Sequence, residues 1–102
     1  MSVSQVISDN GKRVMINIKG RFDYKMSQDF RNIYRHHPEQ DGVAYHIDLS
    51  HADYMDSSAL GMLLLLREHA KSRGGAVVIE KPSDQVDKIL KVANFEQLFT
   101  IN

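Results

Sequence analysis

The 102-residue chain contains no cysteine, which excludes disulfides and thiolate metal sites. It has no charge surplus either, because 13 basic and 13 acidic residues give a formal net charge of +0. Nucleic-acid binders usually show a basic excess, so no direct nucleic-acid partner is expected. Long apolar runs are missing as well. The longest, Leu60 to Leu66, contains Gly61 and is far too short to span a bilayer, so no membrane insertion is expected. The opening residues lack a basic region followed by an apolar core, so no secretion signal is expected. No repeat, low-complexity tract or linker interrupts the chain, and its length suits a single domain over residues 1–102. These absences are compatible with a cytoplasmic protein.

Catalytic signatures are equally scarce. A serine hydrolase built on Ser57 with His51 or His46 would want Gly-x-Ser-x-Gly and an oxyanion-hole motif, and the chain has neither. There is no Gly-rich phosphate loop. The five histidines never take the His-Glu-x-x-His spacing, and adjacent His36 and His37 diverge on a helix. The expectation is a protein without catalytic residues, cofactor or metal.

What is present is a strand–helix alternation. Val3, Gln5 and Ile7 give a weak strand signal, and Asp9-Asn10-Gly11 is a turn signal that predicts a hairpin. Arg13 to Lys19 alternates Val14, Ile16 and Ile18 with polar residues, as in a sheet with one buried face. Gly20-Arg21-Phe22-Asp23 is expected to end that strand. Ser27 is the expected N-cap of a helix with Phe30, Ile33 and Tyr34 on its apolar stripe, closed by Pro38 and Gly42. Val43 to Leu49 reads as the third strand, broken by Ser50-His51-Ala52-Asp53.

Asp56, Ser57 and Ser58 precede a run rich in Leu, Met and Ala from Ala59 to Ala70. They stand where side-chain oxygens cap a helix, and Ser57 is the expected first cap. At about 100° per residue, Ala59, Leu63, Leu66 and Ala70 face the sheet, flanked by Leu60 and Met62. Ser57, Gly61, Leu64 and Glu68 fall opposite, which makes Leu64 beside Gly61 a docking candidate; a flanking helix or the tail could also cover Leu64. Gly74-Gly75 ends the helix, Ala76 to Ile79 is the fourth strand, and Pro82-Ser83-Asp84 opens a last helix capped at its far end by Asn94. Phe95, Leu98, Phe99 and Ile101 predict a short turn and a final strand or tail. The fold class is therefore α/β: a mixed sheet of about four to five strands with the helices mainly on one face.

Asp56-Ser57-Ser58-Ala59-Leu60-Gly61, following a hydrophobic strand, resembles the Asp-Ser-Ser/Thr-Gly-Leu-Gly signature of anti-sigma factor antagonists, which have the STAS fold. Gly20-Arg21-Phe22-Asp23 resembles the family's Gly-Glu-hydrophobic-Asp segment. Leu49 to Met55 resembles its approach to the serine, and Gly74-Gly75, Pro82-Ser83 and Val86 also match in order. The resemblance covers essentially the whole chain. It implies a protein that binds an anti-sigma factor and frees the sigma factor. It further implies that the anti-sigma factor is a serine kinase acting on Ser57, with Ser58 as second choice, and that a PP2C-type phosphatase resets the switch. The partner surface it implies comprises Asp23, Asp56, Ser57, Ser58, Ala59, Gly61 and Leu64. Ala59 replaces the usual Gly and Arg21 replaces an acidic residue, which bears on which partner fits. Small STAS proteins also serve as non-phosphorylated subunits of larger assemblies, such as membrane-lipid transporters and stress-sensing complexes, and that is the alternative.

Overall fold

The computed structural model describes residues 2–37 and 40–102. The chain runs β1 (Ser2–Ser8), β2 (Arg13–Phe22), α1 (Ser27–Arg35), β3 (Ala44–Met55), α2 (Ser57–Ser72), β4 (Ala76–Glu80), α3 (Asp84–Val92) and β5 (Thr100–Ile101). The strands lie side by side in sequence order. β1 is antiparallel to β2, and β2, β3, β4 and β5 are mutually parallel. Each parallel crossover steps the same way across the sheet, so right-handed connections put all three helices on one face.

The period-2 pattern decides which side chains those helices cover. Val14, Ile16 and Ile18 on β2, Tyr45, Ile47 and Leu49 on β3, and Val77 and Ile79 on β4 are buried together. Phe30, Ile33 and Tyr34 of α1, Leu63 and Leu66 of α2, and Val86 and Leu90 of α3 close over them. The opposite face of the sheet carries polar side chains with Val6, Met15 and Val78 among them. There His46 Nδ1 lies 2.8 Å from Glu80 Oε1, tying β3 to β4.

Several local expectations need correction. β2 continues through Gly20 to Phe22, and β3 continues through Ser50-His51-Ala52-Asp53 to Met55. The strands stay paired past two register shifts, between Asn17 and Lys19 and between Gly20 and Arg21. Gly20 holds φ +81°, a conformation glycine adopts without steric cost. Pairing with β2 carries β3 through this polar stretch, and Ser50 is bonded to Asp48 within it. Ser50 donates its backbone N–H and its hydroxyl to Asp48 Oδ1. Burial alone would raise the Asp48 pKa, but these bonds together with the charges of His51 and Lys81 outweigh it and pull the pKa down.

Ser27 is the first residue inside α1 and makes no cap bond. The chain reaches α1 through a 3₁₀ turn over Tyr24–Met26 instead, and Asp23 caps that turn by accepting from the Lys25 N–H at 3.0 Å. The expected helix stop at Pro38 lies outside the described residues. Pro82-Ser83-Asp84 opens α3 as expected; Ser83 is its cap and also donates its hydroxyl to the Ala52 carbonyl at 2.7 Å. Asn94 comes after α3 in the left-handed conformation, with φ +58°.

Candidate functional site

The site is built where two parallel strands end together. Phe22 of β2 pairs in register with Met55 of β3, and both side chains are buried. The next residue on each strand is an aspartate, and each carboxylate serves as a cap. Asp23 caps the 3₁₀ turn, and Asp56 caps α2 by accepting from the Ala59 N–H at 2.9 Å. The Asp56 N–H reaches back to the Phe22 carbonyl at 3.3 Å, which ties α2's start to the end of β2. Ser57 is therefore the first residue of α2 and not its cap. Held there with extended backbone, Asp56 occupies the N-cap position and takes the capping bond, and Ser57 is exposed.

The expected site residues separate into two groups. Ser57, Ser58 and Leu64 are exposed, and Asp56 and Gly61 are partly so. Ser58, Gly61 and Leu64 line a groove of about 570 Å³ between α2 and the Tyr24–α1 segment. Ala59 and Asp23 do not belong to a free surface. The Ala59 methyl is 0% exposed because it sits on the sheet-facing stripe of α2. Asp23 is 7% exposed, held by its capping bond and 3.8 Å from the Arg21 guanidinium. Arg21 in turn lies 4.6 Å above the Tyr54 ring, so the cation that stands where an acid was expected has local partners.

The groove also contains residues that the sequence pattern did not single out. Leu65 is 57% exposed and Tyr24 is 63% exposed, and both line it, with Arg31 and Glu68 at its polar edge. Leu65 was within reach of sequence reasoning, since it stands one helical step of four residues after Gly61. Tyr24 was not, because only the packing of the 3₁₀ turn against α2 brings it there. A Cβ at Gly61 would meet nothing within 4 Å, so the missing side chain leaves open space above the helix. On the other flank of α2, Leu60, Ile89, Val92 and Ala93 form a second apolar groove of about 300 Å³.

Comparison with known proteins bears on this arrangement. The family described as Mlab, STAS domain, matches residues 6–100. A STAS-domain containing protein of Pseudomonas aeruginosa (strain UCBPP-PA14) is 44% identical, over 100% of both chains. The anti-sigma-B factor antagonist of Bacillus subtilis (strain 168) is 24% identical over 100% of this chain and 93% of its own. Among solved structures, the anti-sigma factor antagonist SpoIIAA in its unphosphorylated form superimposes with a TM-score of 0.73 at 15% identity. That match covers 99% of this chain and 87% of SpoIIAA, and at such identity it speaks for the fold alone.

Proposed function

The chain belongs to the STAS domain family, and from that premise we propose that it is an anti-sigma factor antagonist whose hold on its partner is switched by a phosphate on Ser57. In this reading an anti-sigma factor with serine kinase activity docks on the exposed face of α2 and so releases its sigma factor. The same protein phosphorylates Ser57 and is expelled, and a PP2C-type phosphatase restores the binding form. The chain is substrate and switch and catalyses nothing itself. The observation that carries the reading is the exposed Ser57 hydroxyl on the first turn of α2, beside a groove with apolar walls.

Electrostatics supports a switch that leaves the fold intact. A phosphoserine adds about −1.5 to −2 charge. The positive end of a helix dipole favours such a group by about 0.3–1 kcal/mol. Against this stands the Asp56 carboxylate, already committed to the Ala59 N–H. Two unit charges about 5 Å apart repel by about 3 kcal/mol at an effective dielectric near 20, less where water screens them. A partner that places acidic or close-packed groups over Ser57 meets a similar penalty. About 2.7 kcal/mol is a hundredfold loss of affinity.

A phosphate-affinity gel of the protein taken from its host, run beside Ser57→Ala, tests the assignment. A shifted band that vanishes in Ser57→Ala is expected; a band that persists unchanged defeats it. Calorimetry against the anti-sigma factor completes the test, with Ser57→Ala binding tightly and Ser57→Asp weakly. The alternative, a non-phosphorylated STAS subunit of a larger assembly, is favoured by the apolar grooves on both flanks of α2. It expects no phosphorylated band and equal affinities for both variants.

A further inference from the structure

Strand β1 forms one edge of the sheet, with β2 on its inner side. We propose that this edge is a self-association surface, on which a second copy of the chain adds its own β1 antiparallel to the first. The proposal does not depend on the Ser57 switch.

Edge strands usually carry a device against such pairing: a charge, a proline, a bulge or very short length. β1 has none of these. Its sequence, Ser-Val-Ser-Gln-Val-Ile-Ser, contains no charged residue and no proline. It pairs residue for residue with β2 from Ser2 to Ser8 without a register shift. Val6 is 60% exposed and Ile7 is 46% exposed, on opposite faces of the sheet. Every second residue of a strand turns its N–H and C=O away from its neighbour, so β1 presents backbone groups along its outer side that meet no partner among the described residues.

The strand is nearly a palindrome, and this selects a second copy as the occupant. Two antiparallel edges are related by a two-fold axis perpendicular to the sheet. That axis keeps the helices of both copies on one side, so opposed residues must share a face. Centring the axis on Gln5 is the choice that pairs the strand along its whole length. Val3 then opposes Ile7 of the other copy, Ser2 opposes Ser8, Ser4 opposes Val6, and Gln5 opposes itself. Val3 and Ile7 stand on the helix-bearing face, because their β2 partners Ile18 and Val14 are in the core. β-branched residues thus meet β-branched residues across the axis, and no like charges meet. Centring on Ser4 or Val6 shortens the paired run and breaks the Val3–Ile7 match. An edge contact of this length falls below the roughly 1,000 Å² of a stable interface. The dimer is therefore weak and concentration-dependent.

The absence of cysteine allows a direct test. Directly opposed residues of an antiparallel pair have Cα atoms about 4.5–5.5 Å apart, within the range of a disulfide. Mild oxidation should convert Gln5→Cys to a covalent dimer well before Val92→Cys, whose thiol would sit on the exposed outer side of α3. Sedimentation of the unaltered chain between about 10 μM and about 1 mM should show a monomer–dimer equilibrium. Gln5→Lys sets two cations across the axis and should weaken that equilibrium about two- to fivefold. A chain that remains monomeric throughout the range, or a Gln5→Cys thiol that cross-links no faster than Val92→Cys, overturns the proposal. The sedimentation arm needs no substitution, so the test survives a variant that fails to fold.

Discussion

Gly61 gives the sharpest test of the α2 surface, because stability and binding should move in opposite directions. Glycine inside a helix costs about 0.8–1.0 kcal/mol relative to alanine. Gly61 lies well inside α2, and its added Cβ would meet nothing within 4 Å, so Gly61→Ala carries no steric penalty in the free protein. The variant should be more stable by about 1 kcal/mol, or about 4–8 °C in Tm for a domain of about this size. The same methyl projects into the groove shared with Ser58, Leu64 and Leu65. If an anti-sigma factor packs there, the methyl overfills the contact. Overpacking costs about 1–3 kcal/mol, an affinity loss of about 5- to 150-fold. Scanning calorimetry of the free protein and titration calorimetry with the anti-sigma factor measure the two effects separately. A variant that melts higher and binds unchanged removes this groove from the interface. A variant that melts lower refutes the packing argument itself.

Asp56→Ala should destabilise the fold by about 1 kcal/mol in urea unfolding while Asp56→Asn stays within a few tenths, because the cap is a hydrogen bond that either side chain can accept. Gly75→Ala should cost more than about 4 kcal/mol, seen as loss of soluble protein, since its Cβ would collide with the Val43 carbonyl oxygen, a backbone atom that cannot easily move away. Leu63→Ala should cost about 2–5 kcal/mol, whereas Leu65→Ala should leave the urea midpoint nearly unchanged and weaken the partner complex, because the first side chain is 0% exposed and the second 57%. Burial, then Arg73 and His37, hold the His69 pKa below its ordinary value. The unfolded chain therefore binds that proton more readily than the folded one. The stability this contributes is complete above about pH 6.5 and is lost as the pH falls below it toward the folded value. His69→Gln should flatten the urea midpoint over that window.

The antagonist reading and the edge-pairing proposal use different surfaces of one sheet. The first would use the outer face of α2, which stands over the middle of the sheet, and the second the backbone groups of β1 at the sheet's margin. The proposed switch at Ser57 and the proposed self-association therefore do not compete for one surface.

Much of the molecule was legible in the sequence because its signals are local. Alternation at Val14, Ile16 and Ile18 fixes which face of β2 is buried, and the spacing of Ala59, Leu63, Leu66 and Ala70 fixes the inner stripe of α2. Those periods come from backbone geometry and need no neighbour to read them. The element order, with the handedness of crossovers, then sets the helices on one side. The motif Asp56-Ser57-Ser58 marks the helix start, yet sequence does not say which of adjacent oxygens takes the cap bond. That was decided by the Phe22–Met55 pairing, which anchors Asp56 and leaves Ser57 outside. Tertiary structure alone carried β3 through Ser50–Asp53, because a strand edge paired across register shifts outweighs polar turn propensity. It also buried Asp23 and brought Tyr24 to the groove, since both depend on how a 3₁₀ turn packs against a helix distant along the chain. Local periodicity chose the elements, and long-range pairing and packing chose which side chains the solvent can reach.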